Sequence, residues 1–152
     1  MIKEYYEDCK LGDRVVTPGR TITETDVVMF AAFSSDWNSV HVDKEHAAST
    51  PFKQRIAHGL LGLVAGTCLL SRLGWILFWP RSTLCITGLE RVRFVRPIYI
   101  GDTIHLEAEI VEMVDGEDGN GTITTRLQIK NQDRKLVITG RIKTLAGRRP
   151  PG

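Results

Sequence analysis

The sequence predicts an α+β fold in which one strongly curved antiparallel sheet wraps a long central helix. Three observations lead there. A stretch from residue 57 to 73 is apolar or small almost throughout and closes on Gly74. Segments of period-two alternation follow it in series, and Gly-, Asn- and Asp-bearing turns join them. A helix that is apolar on nearly every side has to be surrounded by other elements. A single sheet of this kind leaves long edges, so a homodimer or a dimer-based assembly is expected.

Each element has its own signal. Residues 11–23, LGDRVVTPGRTIT, mix β-branched residues with Gly12, Pro18 and Gly19, which reads as a short strand with turns. Thr23 stands before Glu24 and Asp26, a cap followed by early negative charge, so a helix is predicted over about 24–33. Residues 34–57 read as irregular except for a helical turn around Lys44–Ala48, which Pro51 keeps short. The helix over 57–73 would be about 25 Å long. In TLCITGLERVRFVR, Val92 and Phe94 alternate with Arg91 and Arg93, and Pro97 and Gly101-Asp102 end the strand. In TIHLEAEIVEMV, Ile104, Leu106, Ala108 and Ile110 alternate with His105, Glu107 and Glu109. GTITTRLQIKNQ and KLVITGRIKTLA repeat the pattern, with hairpin turns at 116–121 and 131–134.

The 152 residues suit one domain, taken as 1–147, with a flexible tail at 148–152 where Arg148-Arg149 meets Pro150-Pro151-Gly152. Hydrophobic content of 42% and charged content of 25% are those of a globular protein with its own core. A formal charge of +2, from 20 Lys and Arg against 18 Asp and Glu, gives no reason to expect nucleic acid or an anionic membrane as partner. The apolar run from Gly59 to Ser71 falls short of the roughly 20 residues a membrane span needs, and Arg72 would sit inside any longer one. Cys9, Cys68 and Cys85 are odd in number and scattered, which fits buried thiols in a reducing cytosol and no metal or redox pair. The charged opening MIKEYYEDCK shows no secretory signal, so a cytoplasmic location is expected.

One stretch is not explained by folding alone. FAAFSSDWNSVHVDKEHA, Phe30 to Ala47, sets Asp36, Asn38 and His41 within six positions behind an apolar run. It resembles the signature of the MaoC-like, R-specific enoyl-CoA hydratases, a family with the hot-dog fold. Phe30, Ser34, Asp36, Asn38, Val40, His41 and Ala47 fit that signature, while Ser35 stands where Gly is usual and Ser39 where Pro is usual. The His58-Gly59 step and RFVRPIYIGD, Arg93 to Asp102, are similar to the family too, and the resemblance covers roughly residues 10–145. A Ser in place of Gly costs roughly 1 kcal/mol if a positive φ is retained, and loss of the Pro loosens the loop.

Adding water to an α,β-unsaturated thioester needs a base for the water, a donor for the α-carbon, and a holder for charge on the thioester oxygen. Asp36 and His41 can serve the first two needs if a turning loop brings them onto one water. N–H groups at the open end of the long helix can serve the third, with Gly59 allowing close approach. The resemblance implies the roles: Asp36 and His41 activate the water, and the Gly59 N–H holds the oxygen. Asn38 braces the loop, and Thr67, two turns on, is a candidate support. His58 reads as structural, and His46 and His105 as surface residues. Arg93, Lys53 and Arg55 are candidates for coenzyme A phosphates, alongside Arg91 and Arg96. The expected reaction is reversible hydration of a 2-enoyl thioester, carried on coenzyme A or acyl carrier protein, to the (R)-3-hydroxyacyl thioester, with no metal or other cofactor. A hot-dog thioesterase and a non-catalytic acyl-binding subunit of a two-component hydratase remain alternatives. The block Trp75-Ile76-Leu77-Phe78-Trp79 is assigned to core or subunit contact ahead of an acyl pocket.

Overall fold

The computed structural model describes residues 2–151. After a 3₁₀ turn at Tyr6–Asp8 come β1 (Arg14–Val16), β2 (Arg20–Thr21), α1 (Glu24–Ser34), α2 (Ser39–Val42), α3 (Lys44–Ser49) and α4 (Gly59–Thr67). Two 3₁₀ segments, Cys68–Leu73 and Trp75–Leu77, lead into β3 (Thr83–Phe94), β4 (Thr103–Asp115), β5 (Asn120–Lys130) and β6 (Leu136–Gly147). The strands form one antiparallel sheet in the order β1-β4-β5-β6-β3, with β2 also paired to β4. This is the hot-dog arrangement: a curved sheet folded around α4.

The period-two pattern becomes burial directly. Along β4, Ile104, Leu106, Ala108 and Ile110 are buried, while the residues between them are only half-buried. Those between carry charge on the outer face, where Glu107 accepts from Lys130 at 2.7 Å and Glu109 from Arg14 at 3.0 Å. The core forms where the inward residues of β4, β5 and β6 meet α4. Small residues on α4 set how close the layers come. A Cβ at Gly62 would lie 2.5 Å from the Ile98 Cδ1, and one at Gly66 would lie 2.8 Å from the Ile129 Cγ1.

The caps follow the sequence. Thr23 Oγ1 accepts from the Asp26 N–H at 3.2 Å, and the Asp26 carboxylate accepts from the Thr23 N–H at 2.8 Å, a reciprocal box that starts α1. Trp79 donates its indole N–H to Thr125 Oγ1 at 3.0 Å and is buried with Phe78, whereas Trp75 and Leu77 are exposed. The aromatic block therefore divides between core and surface.

Four expectations need correction. The long helix starts at Gly59, because His58 keeps an extended backbone (φ −58°, ψ 136°), and its α part stops at Thr67. Beyond Thr67 the chain tightens to 3₁₀ and ends at Gly74, whose φ of 75° suits glycine. The helix is not enclosed on all sides, since Leu60 and Val64, one turn apart, remain exposed. Only Cys9 is a buried thiol, pushed up to about 11 by burial, and Cys68 and Cys85 are exposed. The tail is tied at its first two residues. Arg148 bonds to Glu7 at 3.0 Å and Arg149 to Asp8 at 2.9 Å, because the N-terminal turn presents its acids beside the end of β6. Among the described residues, no helix is long and apolar enough to cross a membrane.

Candidate active site

The polar stretch is built by two helix ends. α1 stops at Ser35, which adopts φ 61° and ψ 18°, the left-handed geometry that glycine takes without strain. That conformation reverses the chain and turns Asp36 outward. Ser35→Gly should therefore raise stability by up to about 1 kcal/mol, or roughly 2–4 °C in thermal midpoint for a chain of this size. Calorimetry that found a lower midpoint would show that Ser35 is not strained.

The next turn starts α2, which the sequence left irregular. Asn38 caps it, its Oδ1 accepting from the Val40 N–H at 3.1 Å. Its own N–H donates to Asp36 Oδ1 at 3.2 Å, and the Asp36 N–H donates to Ser34 Oγ at 3.2 Å. The single turn of α2 carries His41 inward, where it is 9% exposed, while the Asp36 side chain is half exposed.

His41 donates its Nδ1–H to the Ile56 carbonyl at 2.7 Å. A carbonyl only accepts, so in the neutral ring Nε2 is left as a bare lone pair. It faces Asp36 Oδ2 at 4.0 Å. That gap is too wide for a direct hydrogen bond, but a water about 2.8 Å from each atom fits between them.

The third wall is the start of α4. His58 is the N-terminal cap, its side chain making no cap hydrogen bond, and Gly59 is the first helical residue. The earliest N–H groups of a helix have no intrahelical acceptor and carry the positive end of its dipole. Phe30, Ser34, Asp36, His41, His58 and Gly59, with Leu60, enclose a cavity of about 220 Å³. A second cavity of about 420 Å³ shares Gly59 and Leu60 with it and is lined mainly by apolar residues, among them Phe52, Ile56, Phe94 and Ile98, with Arg96 also present. Gly59 also packs closely, since a Cβ there would lie 2.7 Å from the Phe94 ring.

Four expected residues lie elsewhere. Thr67 does not line the smaller cavity; eight residues along α4 is about 12 Å, and its buried hydroxyl has no partner. Lys53 and Arg55 line a separate groove with Lys44, and Arg55 is engaged by Glu24 at 2.8 Å. Arg93 is exposed on β3 and lines neither cavity, whereas Arg96 lines the larger one. The sequence alone points to a structural role for His58. The fold stacks its ring on His41 with centroids 3.8 Å apart, and Phe30 packs against it at 4.9 Å.

Asp36, His41 and His58 offer ligand atoms within 4.8 Å of one another. Stacked rings inclined by only 29° direct their in-plane lone pairs side by side rather than onto one centre, a poor fit to a tetrahedral ion. What the arrangement can do is polarise a water between a carboxylate and an imidazole, beside N–H donors that can hold developing negative charge.

Comparison with known proteins gives the same direction. The MaoC like domain matches residues 8–132. The chain is 36% identical over 104 residues to Protein MaoC of Klebsiella aerogenes, covering 68% of this chain but 30% of that protein. It is 34% identical over 116 residues to the (R)-specific enoyl-CoA hydratase of Rhodospirillum rubrum, covering 75% of this chain and 74% of that enzyme. A solved structure described as a monoamine oxidase regulatory protein from Archaeoglobus fulgidus superposes with a TM-score of 0.92 at 34% identity, covering 97% of both chains.

Proposed function

The chain belongs to the MaoC-like domain family and is by that kinship a hydratase/dehydratase-type enzyme; from this premise we propose that it reversibly hydrates a 2-enoyl thioester to the (R)-3-hydroxyacyl thioester. The observation that carries the reading is the 4.0 Å gap between Asp36 Oδ2 and His41 Nε2 beside the open end of α4. In the proposed reaction one water sits in the gap. Its proton passes to the bare Nε2 of His41 while its oxygen forms a bond to the β-carbon. The C=C electron pair moves toward the thioester carbonyl, whose oxygen is held by the Gly59 N–H. The α-carbon then takes a proton back from the acid–base pair, so the net addition is one water. Dehydration runs the same steps in reverse.

The two cavities support an orientation. With the carbonyl at Gly59 and the reacting carbons toward Asp36 and His41, the sulfur side points to the larger apolar cavity. The carrier's arm would lie there, with Arg96 replacing Arg93, Lys53 and Arg55 as the first candidate for its charge. Coenzyme A or acyl carrier protein enters as the substrate's carrier, and the chemistry as proposed uses no metal or other cofactor. Purified protein given crotonyl-CoA and longer, branched and ACP-linked enoyl thioesters should remove the enoyl absorbance, and chiral analysis should return the R product. Inertness on all of them sinks the reading, and release of free thiol would mark hydrolysis instead.

The same reading includes a homodimer. Among the described residues β3 pairs with β6 alone, and Leu84, Ile86, Leu89 and Phe94 on it are exposed, as are Leu60 and Val64 on α4. An unpaired apolar edge of that length favours pairing with a second copy. Sedimentation velocity should give about twice the 17.0 kDa chain mass, and Leu89→Lys should shift it toward monomer. A monomeric wild type excludes the dimer.

A further inference from the structure

We infer that His58 is a positioning residue, which fixes Asp36 through its backbone and His41 through its ring while staying uncharged itself. The inference rests on the hydratase reading above and adds a residue to it. His58 is 2% exposed and donates its Nε2–H to the Asp36 carbonyl at 2.9 Å. Among the described residues, the other hydrogen bonds made by residues 34–38 join partners no more than four positions apart. The His58 bond spans 22 positions. It is the tie between the turn that carries the carboxylate and the helix that carries Gly59. Without it, the half-exposed Asp36 is held by local turns alone, which set its conformation but not its distance from α4.

The second contact is the stack on His41 at 3.8 Å, with Phe30 packed against the other ring. His41 is already pinned at Nδ1 by Ile56. One hydrogen bond leaves a ring free to swing about the donor axis, and the His58 face removes that freedom, so Nε2 stays aimed at Asp36. The contacts also select the tautomer. Nε2 must carry the hydrogen because its partner is a carbonyl. Nδ1 is buried and has no partner, so a hydrogen there would have no acceptor. A neutral His58 can lie against His41 while that ring takes a proton from water, without setting two cations face to face.

The test separates this role from general packing. His58→Phe keeps the stacked ring and loses the donor, and His58→Gln keeps an amide N–H near the position of Nε2. Loss of about 1 Å of alignment lowers turnover by roughly 100-fold. His58→Phe should therefore lower kcat about 100-fold with KM within about threefold of wild type, and His58→Gln should recover at least tenfold of that loss. Melting curves would confirm that both variants are folded. A His58→Phe enzyme with kcat within threefold of wild type overturns the inference, as does a loss seen only in KM or a folded His58→Gln no better than Phe. If His58→Phe does not fold, nitrogen-15 NMR of wild-type histidines decides the matter. The inference requires a neutral His58 with hydrogen on Nε2 and a bare Nδ1, and the opposite tautomer or a charged ring refutes it. An inert wild type would overturn the hydratase reading instead, and the NMR result would still decide whether the tie exists.

Discussion

Replacing Asp36 with Asn should lower turnover on the preferred enoyl thioester by about 10²–10⁴-fold, the range for loss of a positioned acid or base, and His41→Ala should do the same. Asparagine has nearly the same shape as aspartate and can still accept the Asn38 N–H, so the turn should survive. What changes is the face toward His41. A neutral amide cannot share a proton with the water, and it cannot balance charge on the imidazole across the 4.0 Å gap. If both groups act on one water, the double variant should be little worse than either single one, since each removes the same bridged species. Steady-state kinetics on the four proteins tests this. Activity of Asp36→Asn within tenfold of wild type would show that the carboxylate does not handle the water. Strict multiplication of the two effects would show that the residues act in separate steps.

The second large effect concerns stability. Gly66→Ala should destabilise the fold by about 1–3 kcal/mol, although alanine is the better helix former by about 1 kcal/mol. The propensity gain loses because the space is occupied. The new Cβ would stand 2.8 Å from the Ile129 Cγ1 and closer still to its Cδ1, and Ile129 is fully buried on β5. If α4 withdrew from the sheet, it would open the core around Ile129 and Ile98. A denaturant melt should show the loss, and adding Ile129→Val, which removes the Cδ1, should recover at least about half of it. A Gly66→Ala protein as stable as wild type would mean that α4 does not lie against the sheet at this distance.

Much of the architecture was legible because it depends on neighbours in sequence. The alternation of Ile104, Leu106, Ala108 and Ile110 can only place one side of a strand in the core. Thr23 with Asp26 can only start a helix there. Asp36, Asn38 and His41 stood out by their close spacing behind an apolar run, and the resemblance to the hydratase signature added Gly59 and implied the roles. Only the fold decided which distant groups share a space. β3 pairs with β6 at the end of the sheet, so Arg93 is exposed on that strand and Arg96, three residues on, lines the larger cavity. α2 escaped notice because one turn is too short for a helical period to register, yet it is the turn that carries His41 inward. The short-range rules of alternation and capping fix each element from its own residues. Contacts such as His58 on His41 depend instead on where a loop returns, which is set by the packing of all the elements together.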